Sequence, residues 1–434
     1  MTRWFSRWVD KNLSAARLLR ESIRHIFPDH WSFFFGEIAL YSFFILIATG
    51  IFMAFFFRPS TAQVVYHGAY IPLRGVRMSA AYASVLDLSF GVRAGLFIRQ
   101  VHHWTALVFA GAVALHLSRM FFTGAYRLPR RLNWLIGLGL LLLVLLNGFT
   151  GYSIPDDLLS GTGLRITFSI TESIPLIGPQ LAFLMFGGNY PGTELVPRLY
   201  PIHIFVVPLL IFALLGLHLG LLWRQMHSQY PAAGRSDRII EGTRMIPAYA
   251  FRTLGMLCFI AAMVAFLGGF MQINPVWLFG PYHATDASVA AQPDFYTAWL
   301  EGGLRVFPGW NIQIGGFLLP AIFWPAVVLP GILFTLLFVW PWLDGWALRD
   351  KKYHHLLNFP GDRPGRTALG AGVLTVLATL LFAAGNDVFA VALGASQQTL
   401  LRLIQGQLLI LPLIVALVAF LACRRTRDTE QTAA

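Results

Sequence analysis

The stretch RQVHHWTALVFAGAVALHLSR, residues 99–119, is a run of small and apolar residues with three histidines inside it and an arginine at each end. His102 and His116 are fourteen positions apart. In an α-helix this spacing leaves them within about 40° of each other around the axis and about 21 Å apart along it. The neighbouring His103 lies roughly 140° from His116 by the same geometry and points elsewhere. One face of this helix therefore carries an imidazole near each end.

A second stretch, PIHIFVVPLLIFALLGLHLGLLW at 201–223, repeats the pattern with His203 and His218. These two histidines are fifteen positions apart, which in a helix is a rotation of about 60° and a rise of about 22 Å. The two stretches run in the same direction if they are the second and fourth of a series of membrane spans. His102 then faces His203 near one surface, and His116 faces His218 near the other.

The composition of the chain is that of a membrane protein. Of its 434 residues, 56% are hydrophobic and only 12% are charged, about half the charged share of a soluble domain. A transmembrane β-barrel shows alternating ten-residue segments instead. We therefore predict an all-α polytopic membrane protein. Apolar runs long enough to cross a bilayer predict eight helices, at 36–57, 98–122, 132–150, 200–223, 251–270, 315–339, 367–385 and 403–422.

Positive charge is distributed unevenly along the chain, whose formal net charge is +12. Most of the 32 lysines and arginines lie in the N-terminal tail, in the loops after spans 2, 4 and 6, and at the C-terminus. The positive-inside rule then places both termini in the cytoplasm and the chain in the cell membrane. The basic excess reflects topology, and no nucleic-acid partner is expected. Residues 1–35 are interpreted as an amphipathic surface helix or as a disordered basic tail.

Two facing pairs of histidines inside a membrane indicate a cofactor, because burying an ionisable side chain in lipid is costly. Neutral imidazole is a good iron ligand, and two trans imidazoles fill both axial positions of a haem. Zinc requires a tetrahedral cluster, which separated facing pairs do not supply. We therefore predict two bis-histidine haem b groups stacked across the bilayer. Their metal ligands are His102, His116, His203 and His218.

Glycines and arginines near these histidines support the haem interpretation. Four glycines repeat the fourteen-residue spacing: Gly36 and Gly50 in span 1, Gly137 and Gly151 in span 3. Glycine lets a flat macrocycle approach the backbone, although glycine is also common in membrane spans. Arg99 and Arg119 lie three residues outside the span-2 ligands. There they either pair with haem propionates or anchor the helix at the interface.

These features resemble the cytochrome b subunit of the quinol–cytochrome c reductases, the Rieske/cytochrome b complexes. The likeness runs through nearly the whole chain and includes GY at 151–152 and PDFY at 293–296. It implies a di-haem four-helix bundle followed by four further helices. The stretch GYSIPDDLLSGTGLRI at 151–166 resembles actinobacterial members, which favours menaquinol over ubiquinol as the substrate.

The resemblance also implies a domain division and partners. An N-terminal segment at 1–35 precedes the di-haem bundle at 36–230, and a C-terminal four-helix domain at 231–434 carries an outer quinol-site loop. The implied reaction is electron bifurcation. One electron from the quinol goes to a Rieske iron–sulfur subunit and on to a cytochrome c subunit, and the other crosses the membrane through the two haems. A homodimer is implied as well.

The PDFY stretch corresponds to the family's Pro-Glu-Trp-Tyr motif of quinol oxidation, with Asp294 and Phe295 in its middle positions after Pro293. The resemblance implies that Asp294 accepts a proton from the quinol and that Tyr296 bonds the ring or narrows the pocket. The opposite wall of this pocket comes from the end of span 3, at Tyr152 and Ile154. Without the resemblance, Asp294 is interpreted as the N-cap of a short helix near 296–304.

The inner quinone site is less well marked. Family members use a histidine after span 4 and a Lys-Asp pair at the start of span 5. This chain has Arg252 and Thr253 at the latter positions, so the acidic proton donor is missing. Arg224, His227 and Arg252 either serve this site or anchor the helices at the membrane surface.

Two other functions fit parts of the sequence. A di-haem membrane anchor of a quinone-linked dehydrogenase shares the paired histidines, but it predicts only four or five spans. A transporter with a histidine proton relay shares the intramembrane histidines and binds no haem.

Overall fold

The computed structural model describes residues 25–188, 190–286 and 292–433. The prediction for the segment 1–35 therefore falls largely outside the described residues. Eight helices in the described part of the chain are long and apolar enough to cross a membrane, which confirms the predicted fold class. Spans 1 to 8 are Trp31–Ala54, Gly95–Phe122, Arg131–Ser153, Leu195–Gln225, Met245–Phe270, Trp324–Ala347, Pro364–Ala384 and Gln397–Thr426.

Seven of these spans begin and end close to the predicted positions, and span 6 does not. The prediction of 315–339 was wrong because residues 312–319 form a β-hairpin of two short antiparallel strands, Ile312–Ile314 and Phe317–Leu319. The hairpin turns at Gly315, whose φ of +59° favours glycine. Its strands are as apolar as a membrane helix, so hydropathy alone does not separate the hairpin from the span. The helix that follows begins at Trp324.

The loops after spans 1, 3, 5 and 7 meet at one end of the bundle, which we call the outer end from the charge distribution. Six short helices lie there: α1 Ala80–Phe90, α2 Leu158–Glu172, α3 Gly178–Phe186, α4 Val276–Phe279, α5 Phe295–Val306 and α6 Asn386–Leu393. With them are the 3₁₀ turn Ile71–Leu73 and the hairpins of β2 Gln63–Val65 with β3 Arg77–Ser79 and of β5 Ile312–Ile314 with β6 Phe317–Leu319. Asp157 bridges to Pro281, so the loops after spans 3 and 5 are joined directly.

The opposite, inner end is held by hydrogen bonds between distant loops. β1, Ile26–Phe27, pairs with β4, Thr243–Arg244. Buried Arg130 donates to the carbonyl oxygens of Met226 and His354, at 3.0 and 2.6 Å. The loops after spans 2, 4 and 6 are thereby tied together, and the 3₁₀ turn Pro360–Asp362 leads into span 7.

Spans 1 to 4 pack around a shared apolar core. Its buried members come from all four spans and from α5: Phe43, Phe109, Ala110, Val144, Val207, Ile211 and Tyr296. Phe109 lies midway between His102 and His116 on span 2. The core therefore separates two levels of the bundle, one near each end, and each level contains a pair of histidines.

Candidate haem and quinol sites

The structure brings the four predicted histidines together as two pairs. The ring centres of His102 and His203 are 6.5 Å apart with planes at 71°, and those of His116 and His218 are 6.4 Å apart with planes at 74°. With metal–nitrogen bonds of about 2.0 Å and each nitrogen about 1.1 Å from its ring centre, two trans imidazoles on one metal lie about 6.2 Å apart between centres. Both pairs therefore fit a single metal ion held between two imidazoles.

Span 4 accommodates its longer histidine spacing through a local change of helix type. Residues Ile202–Val206 form a π turn, and the N–H of Val207 donates to the carbonyl of Ile202. A π turn takes up more residues per turn than an α-helix, and such turns occur frequently at functional sites. His203 lies in this turn, so the fifteen-residue spacing of span 4 matches the fourteen-residue spacing of span 2.

Hydrogen bonds orient both rings of the outer pair. The Nδ1 atom of His102 is 2.8 Å from the hydroxyl of Thr49. The Nδ1 atom of His203 is 3.0 Å from the carbonyl oxygen of Asn147 and 3.2 Å from the hydroxyl of Thr150. Bonds at Nδ1 leave Nε2 free to bind a metal, which is the usual arrangement in metal-bound histidines. At the inner level, Nδ1 of His116 makes no hydrogen bond to any described residue.

The four glycines lie against the ligand histidines themselves. A Cβ atom added to Gly36 would be 3.2 Å from the His116 ring, and one added to Gly50 or Gly137 would be 3.5 Å from His102 or His218. A Cβ at Gly151 would be 3.0 Å from Nε2 of His203 and closer still to its Cε1. The glycines were expected to make room for a macrocycle. In the structure they make room for the imidazoles, most strictly at Gly151.

Arg99 is buried and Arg119 is half-buried, and each has buried guanidinium nitrogens that make no hydrogen bond within the described chain. Arg99 donates from Nη2 to the carbonyl of Asn274 at 2.9 Å, and its Nε makes no hydrogen bond within the described chain. Arg119 stacks on Phe33 with 4.3 Å to the ring centre, and its Nε and Nη2 make no hydrogen bond to described residues. A guanidinium with buried, unbonded nitrogens at each level is suited to an anionic group such as a propionate.

A cavity of about 640 Å³ at the outer end contains both the outer histidine pair and the predicted quinol-site residues. Tyr152, Ile154, Asp294 and Tyr296 line it together with His102 and His203. Pro293 and Phe295 are not among its lining residues, and Phe295 is 41% exposed on the helix surface. Two members of the PDFY motif therefore reach the cavity, and the other two flank them.

Asp294 immediately precedes α5, but its side chain makes no capping bond to that helix. One carboxylate oxygen instead accepts a hydrogen bond from His103 Nε2 at 2.9 Å, and the other accepts from the Tyr296 hydroxyl at 3.0 Å. Burial, followed by the nearby Asp294 carboxylate, raises the pKa of Tyr296 well above its usual value. Tyr296 therefore stays protonated and acts as a donor. Sequence analysis missed His103, because helix periodicity shows only that it points away from His116.

Two further carboxylates lie near the same cavity. Asp157 is 1% exposed, caps α2 through Ser160, and has one oxygen without a hydrogen bond to any described residue. Burial raises the pKa of Asp157 to about 6, and burial also raises that of Glu301. Asp157, Asp294 and Glu301 all lie within electrostatic range of Tyr152. The outer end thus collects acidic groups around one tyrosine.

At the inner end, carboxylates from the start of the described chain meet span 5. Arg252 forms an ion pair with Asp29, and Thr253 donates to Glu37 at 3.0 Å. The hydroxyl of Tyr249 donates to the other Glu37 oxygen at 2.6 Å. Span 5 lacks the expected acid, but Glu37 of span 1 and Asp29 before span 1 place carboxylates at the start of span 5. No spacing within span 5 predicts these partners.

The other two inner candidates, His227 and Arg224, lie in different surroundings. His227 Nδ1 is 3.3 Å from His25 Nε2, and His25 stacks on Trp223 at 4.2 Å between ring centres. Burial lowers the pKa of His227 to about 3, so this histidine is neutral near pH 7. Arg224 is exposed at the end of span 4. Of the two, only His227 is part of a polar cluster near the inner pair.

Comparisons with known proteins point to one family. Residues 107–281 match the family described as "Cytochrome b(N-terminal)/b6/petB". The chain is 45% identical over 416 residues to the cytochrome bc1 complex cytochrome b subunit of Mycobacterium leprae, which covers 96% of this chain and 75% of that relative. The corresponding subunit of Streptomyces coelicolor is 42% identical over 419 residues, with 96% and 76% covered. A chain of a hyperthermophilic respiratory Complex III has the same fold, with a TM-score of 0.71 at 19% identity over 96% of this chain and 98% of that one.

Proposed function

Since this chain belongs to the cytochrome b subunits of cytochrome bc1 complexes, we propose that it oxidises quinol at its outer end and carries one of the two electrons across the membrane. It is a multi-pass membrane protein and a catalytic subunit of a quinol–cytochrome c oxidoreductase. The eight spans and the family membership favour this function over a shorter dehydrogenase anchor and over a transporter without haem.

The observation that carries the proposal is the pairing of four imidazoles at two levels. Members of this family bind haem b, and the ring separations of 6.5 and 6.4 Å fit bis-histidine ligation at both levels. In our assignment His102 and His203 hold the outer haem, and His116 and His218 hold the inner one. Arg99 and Arg119 would bond the propionates. The haems, when bound, would supply one-electron transfer across the lipid.

At the outer site, Asp294 is the proposed base that takes a proton from the quinol hydroxyl. An ionised carboxylate can accept about four hydrogen bonds, and His103 and Tyr296 occupy one on each oxygen. The remaining acceptor positions face a cavity lined by Tyr152 and Ile154. Pro293 and Phe295 flank Asp294 in the chain and are proposed to border the quinol site. The proposed substrate is menaquinol, with ubiquinol as the alternative.

The partners and the orientation follow from the same function. The first electron goes to a Rieske iron–sulfur subunit and then to a cytochrome c subunit, and two copies of the chain form the dimer. The charge distribution supports cytoplasmic termini in the cell membrane. The division into 36–230 for the haems and 231–434 for the outer loop and remaining helices is part of the proposal.

At the inner end, we assign proton delivery to Glu37. Its two oxygens are bonded by Tyr249 and Thr253 from span 5, and the preceding residue, Gly36, lies against His116. An acid in this position is close to the inner ligand pair, where the crossing electron arrives. Quinone reduction at the inner end takes up protons, and Glu37 is a carboxyl group whose preceding residue contacts an inner histidine.

The test of the proposed function is Asp294→Asn in the purified complex. Asparagine keeps the size and polarity of the side chain but cannot accept the proton, so we expect quinol–cytochrome c turnover to fall about 100-fold, a typical loss for a general base. The haem absorption bands stay unchanged. Asp286→Asn is the matched control, because Asp286 is an exposed aspartate in the same outer loop. Turnover above half of the unmodified rate in Asp294→Asn contradicts the assignment.

A further inference from the structure

The structure places a second histidine next to a haem ligand and directs it to a different partner. His102 faces His203, while His103, one residue further along span 2, reaches Asp294 on the loop helix 191 positions away. The bond between His103 Nε2 and Asp294 Oδ1 measures 2.9 Å. Because an ionised carboxylate only accepts hydrogen bonds, His103 is the donor.

We infer that His103 is a positioning residue that holds the Asp294 carboxylate at a fixed place relative to the outer haem ligand. The inference rests on the proposed role of Asp294 as the proton acceptor. The backbone that carries His103 is more regular than the backbone that carries Asp294. Span 2 is a continuous helix from Gly95 to Phe122, whereas Asp294 lies at the junction of a loop and α5, with no capping bond on its side chain.

Apart from the His103 bond, the hydrogen bond that a described residue makes to the Asp294 side chain comes from Tyr296, in the helix that Asp294 precedes. The Tyr296 ring packs in the core of spans 1 to 4, but its hydroxyl bond is local and does not link the Asp294 carboxylate to span 2. The His103 bond joins α5 to span 2 at the residue adjacent to His102. Asp294, the proposed proton acceptor, is thereby held by the same helical turn that carries His102, the proposed ligand of the outer haem.

The environment makes this bond effective. The His103 and Asp294 side chains are both 14% exposed, so little water competes for either partner. A shielded hydrogen bond to a charged group is stronger than one in water. The other ionisable groups that interact with Asp294 are Tyr296 of α5 and Tyr152 of span 3. Among these contacts, His103 is the one that comes from span 2.

The test compares two substitutions of His103 that differ in whether they keep the donor. Glutamine can place an N–H near the position of the imidazole Nε2, and leucine removes the donor while keeping an apolar side chain. Turnover of the purified complex is measured with dimethylnaphthoquinol as the donor and cytochrome c as the acceptor. We expect His103→Leu to lower kcat about 10- to 100-fold and His103→Gln to stay within about threefold, because misplacing a catalytic group costs this much.

Two further readouts, applied to His103→Leu and His103→Gln, separate positioning from a general structural effect. The haem absorption bands are unchanged in both. His354→Leu is the matched control, because His354 and Asp350 form a similar pair at the inner end, 2.8 Å apart and 19% and 16% exposed. That control leaves turnover within about twofold.

A double variant completes the test. If His103 acts through Asp294, combining His103→Leu with Asp294→Asn is no slower than Asp294→Asn alone, since coupled residues are not additive. Multiplied losses in the double variant, or equal losses for glutamine and leucine, overturn the inference. If His103→Leu does not assemble, glutamine is compared with asparagine, whose shorter side chain cannot reach Asp294. Full turnover in Asp294→Asn refutes the proposed base itself, which is a different outcome.

Discussion

The outer and inner ends of the helix bundle contain nearly the same pair of imidazoles and very different acids. The ring separations differ by only a tenth of an ångström, at 6.5 and 6.4 Å. At the outer end the carboxylate comes from α5, after span 5, and lies in a cavity. At the inner end Asp29 and Glu37 come from the beginning of the described chain and bond the start of span 5.

This difference shows how the two kinds of group are built into the fold. The ligand histidines sit on rigid spans, where helix geometry fixes their depth and direction. The acids lie elsewhere: Asp294 immediately before α5, Asp29 before span 1, and Glu37 near the start of span 1. In such positions, several different places in a chain could bring a carboxylate to the same site. In the proposed function, the histidines that would bind haem can therefore repeat within the bundle, while the acids proposed to transfer protons differ between its ends.

The largest expected effect comes from removing one ligand at each level. His203→Leu is expected to remove the outer haem and to lower quinol turnover by at least 100-fold, because a single imidazole leaves an axial position unfilled. His218→Leu is expected to remove only the inner haem. Difference spectra of the purified complexes, reduced minus oxidised, test this: each variant loses one of two b-type bands. Loss of the same band in both variants contradicts the separate levels.

The next largest effect is a loss of haem occupancy that is expected at one outer-level glycine, Gly151, and not at the other, Gly50. Gly151→Ala is expected to destabilise haem binding by about 1–3 kcal/mol, the typical cost of overpacking, because the new methyl group would press on His203. Gly50→Ala is the control, since its methyl group would meet His102 at an ordinary 3.5 Å. Haem occupancy after purification measures the effect. Equal occupancy in the two variants would show that the close approach at Gly151 is unimportant.

A smaller effect is expected at the inner end. Glu37→Gln keeps one acceptor oxygen and presents an amide N–H₂ to the second hydroxyl, which can accept in turn. Glutamine cannot supply a proton, so quinone reduction should slow about tenfold, at the low end for acid catalysis. Reoxidation of the inner haem by quinone, with the outer site inactivated by Asp294→Asn, is the measurement. Glu241→Gln, an exposed inner-end glutamate, is expected to have no effect. An unchanged rate in Glu37→Gln excludes Glu37 as the donor.

The smallest effect is a pH-dependent change in stability at Asp157. Burial raises the pKa of Asp157 from 3.8 to about 6 in the folded protein, so the protonated form folds more favourably and stability is lost as the pH rises through about 6. Asparagine caps a helix about as well as aspartate. Asp157→Asn should therefore match the unmodified protein in Tm only below the unfolded-state pKa of 3.8, at about pH 3.5, and should exceed it by a few degrees at about pH 8. A Tm difference that does not change with pH contradicts this account.

The sequence predicted the parts of the molecule that helix geometry controls. Eight spans and the facing of His102 with His203 and of His116 with His218 follow from apolar length and from about 100° per residue. Span 6 was misplaced because the apolar strands of the β5–β6 hairpin resemble the start of a helix, and the turn depends on a single glycine, Gly315. Hydropathy carries no information about that turn.

The contacts of the candidate sites were less predictable. His103 bonds a residue 191 positions away, and Arg252 and Thr253 bond acids more than 200 positions earlier. A helical wheel shows which way such a side chain points but does not identify the loop that covers it. The π turn at Ile202–Val206 likewise reconciles the two histidine spacings through a backbone change that the residue types do not indicate.

The central claim is that each level of the bundle holds one haem between two imidazoles. The most direct test is haem quantification of the purified complex combined with near-infrared magnetic circular dichroism, which reports the axial ligands of ferric haem. The account predicts two haem b groups in each chain, both with bis-imidazole ligation. A single haem in each chain, or a ligand other than imidazole at either level, would contradict it.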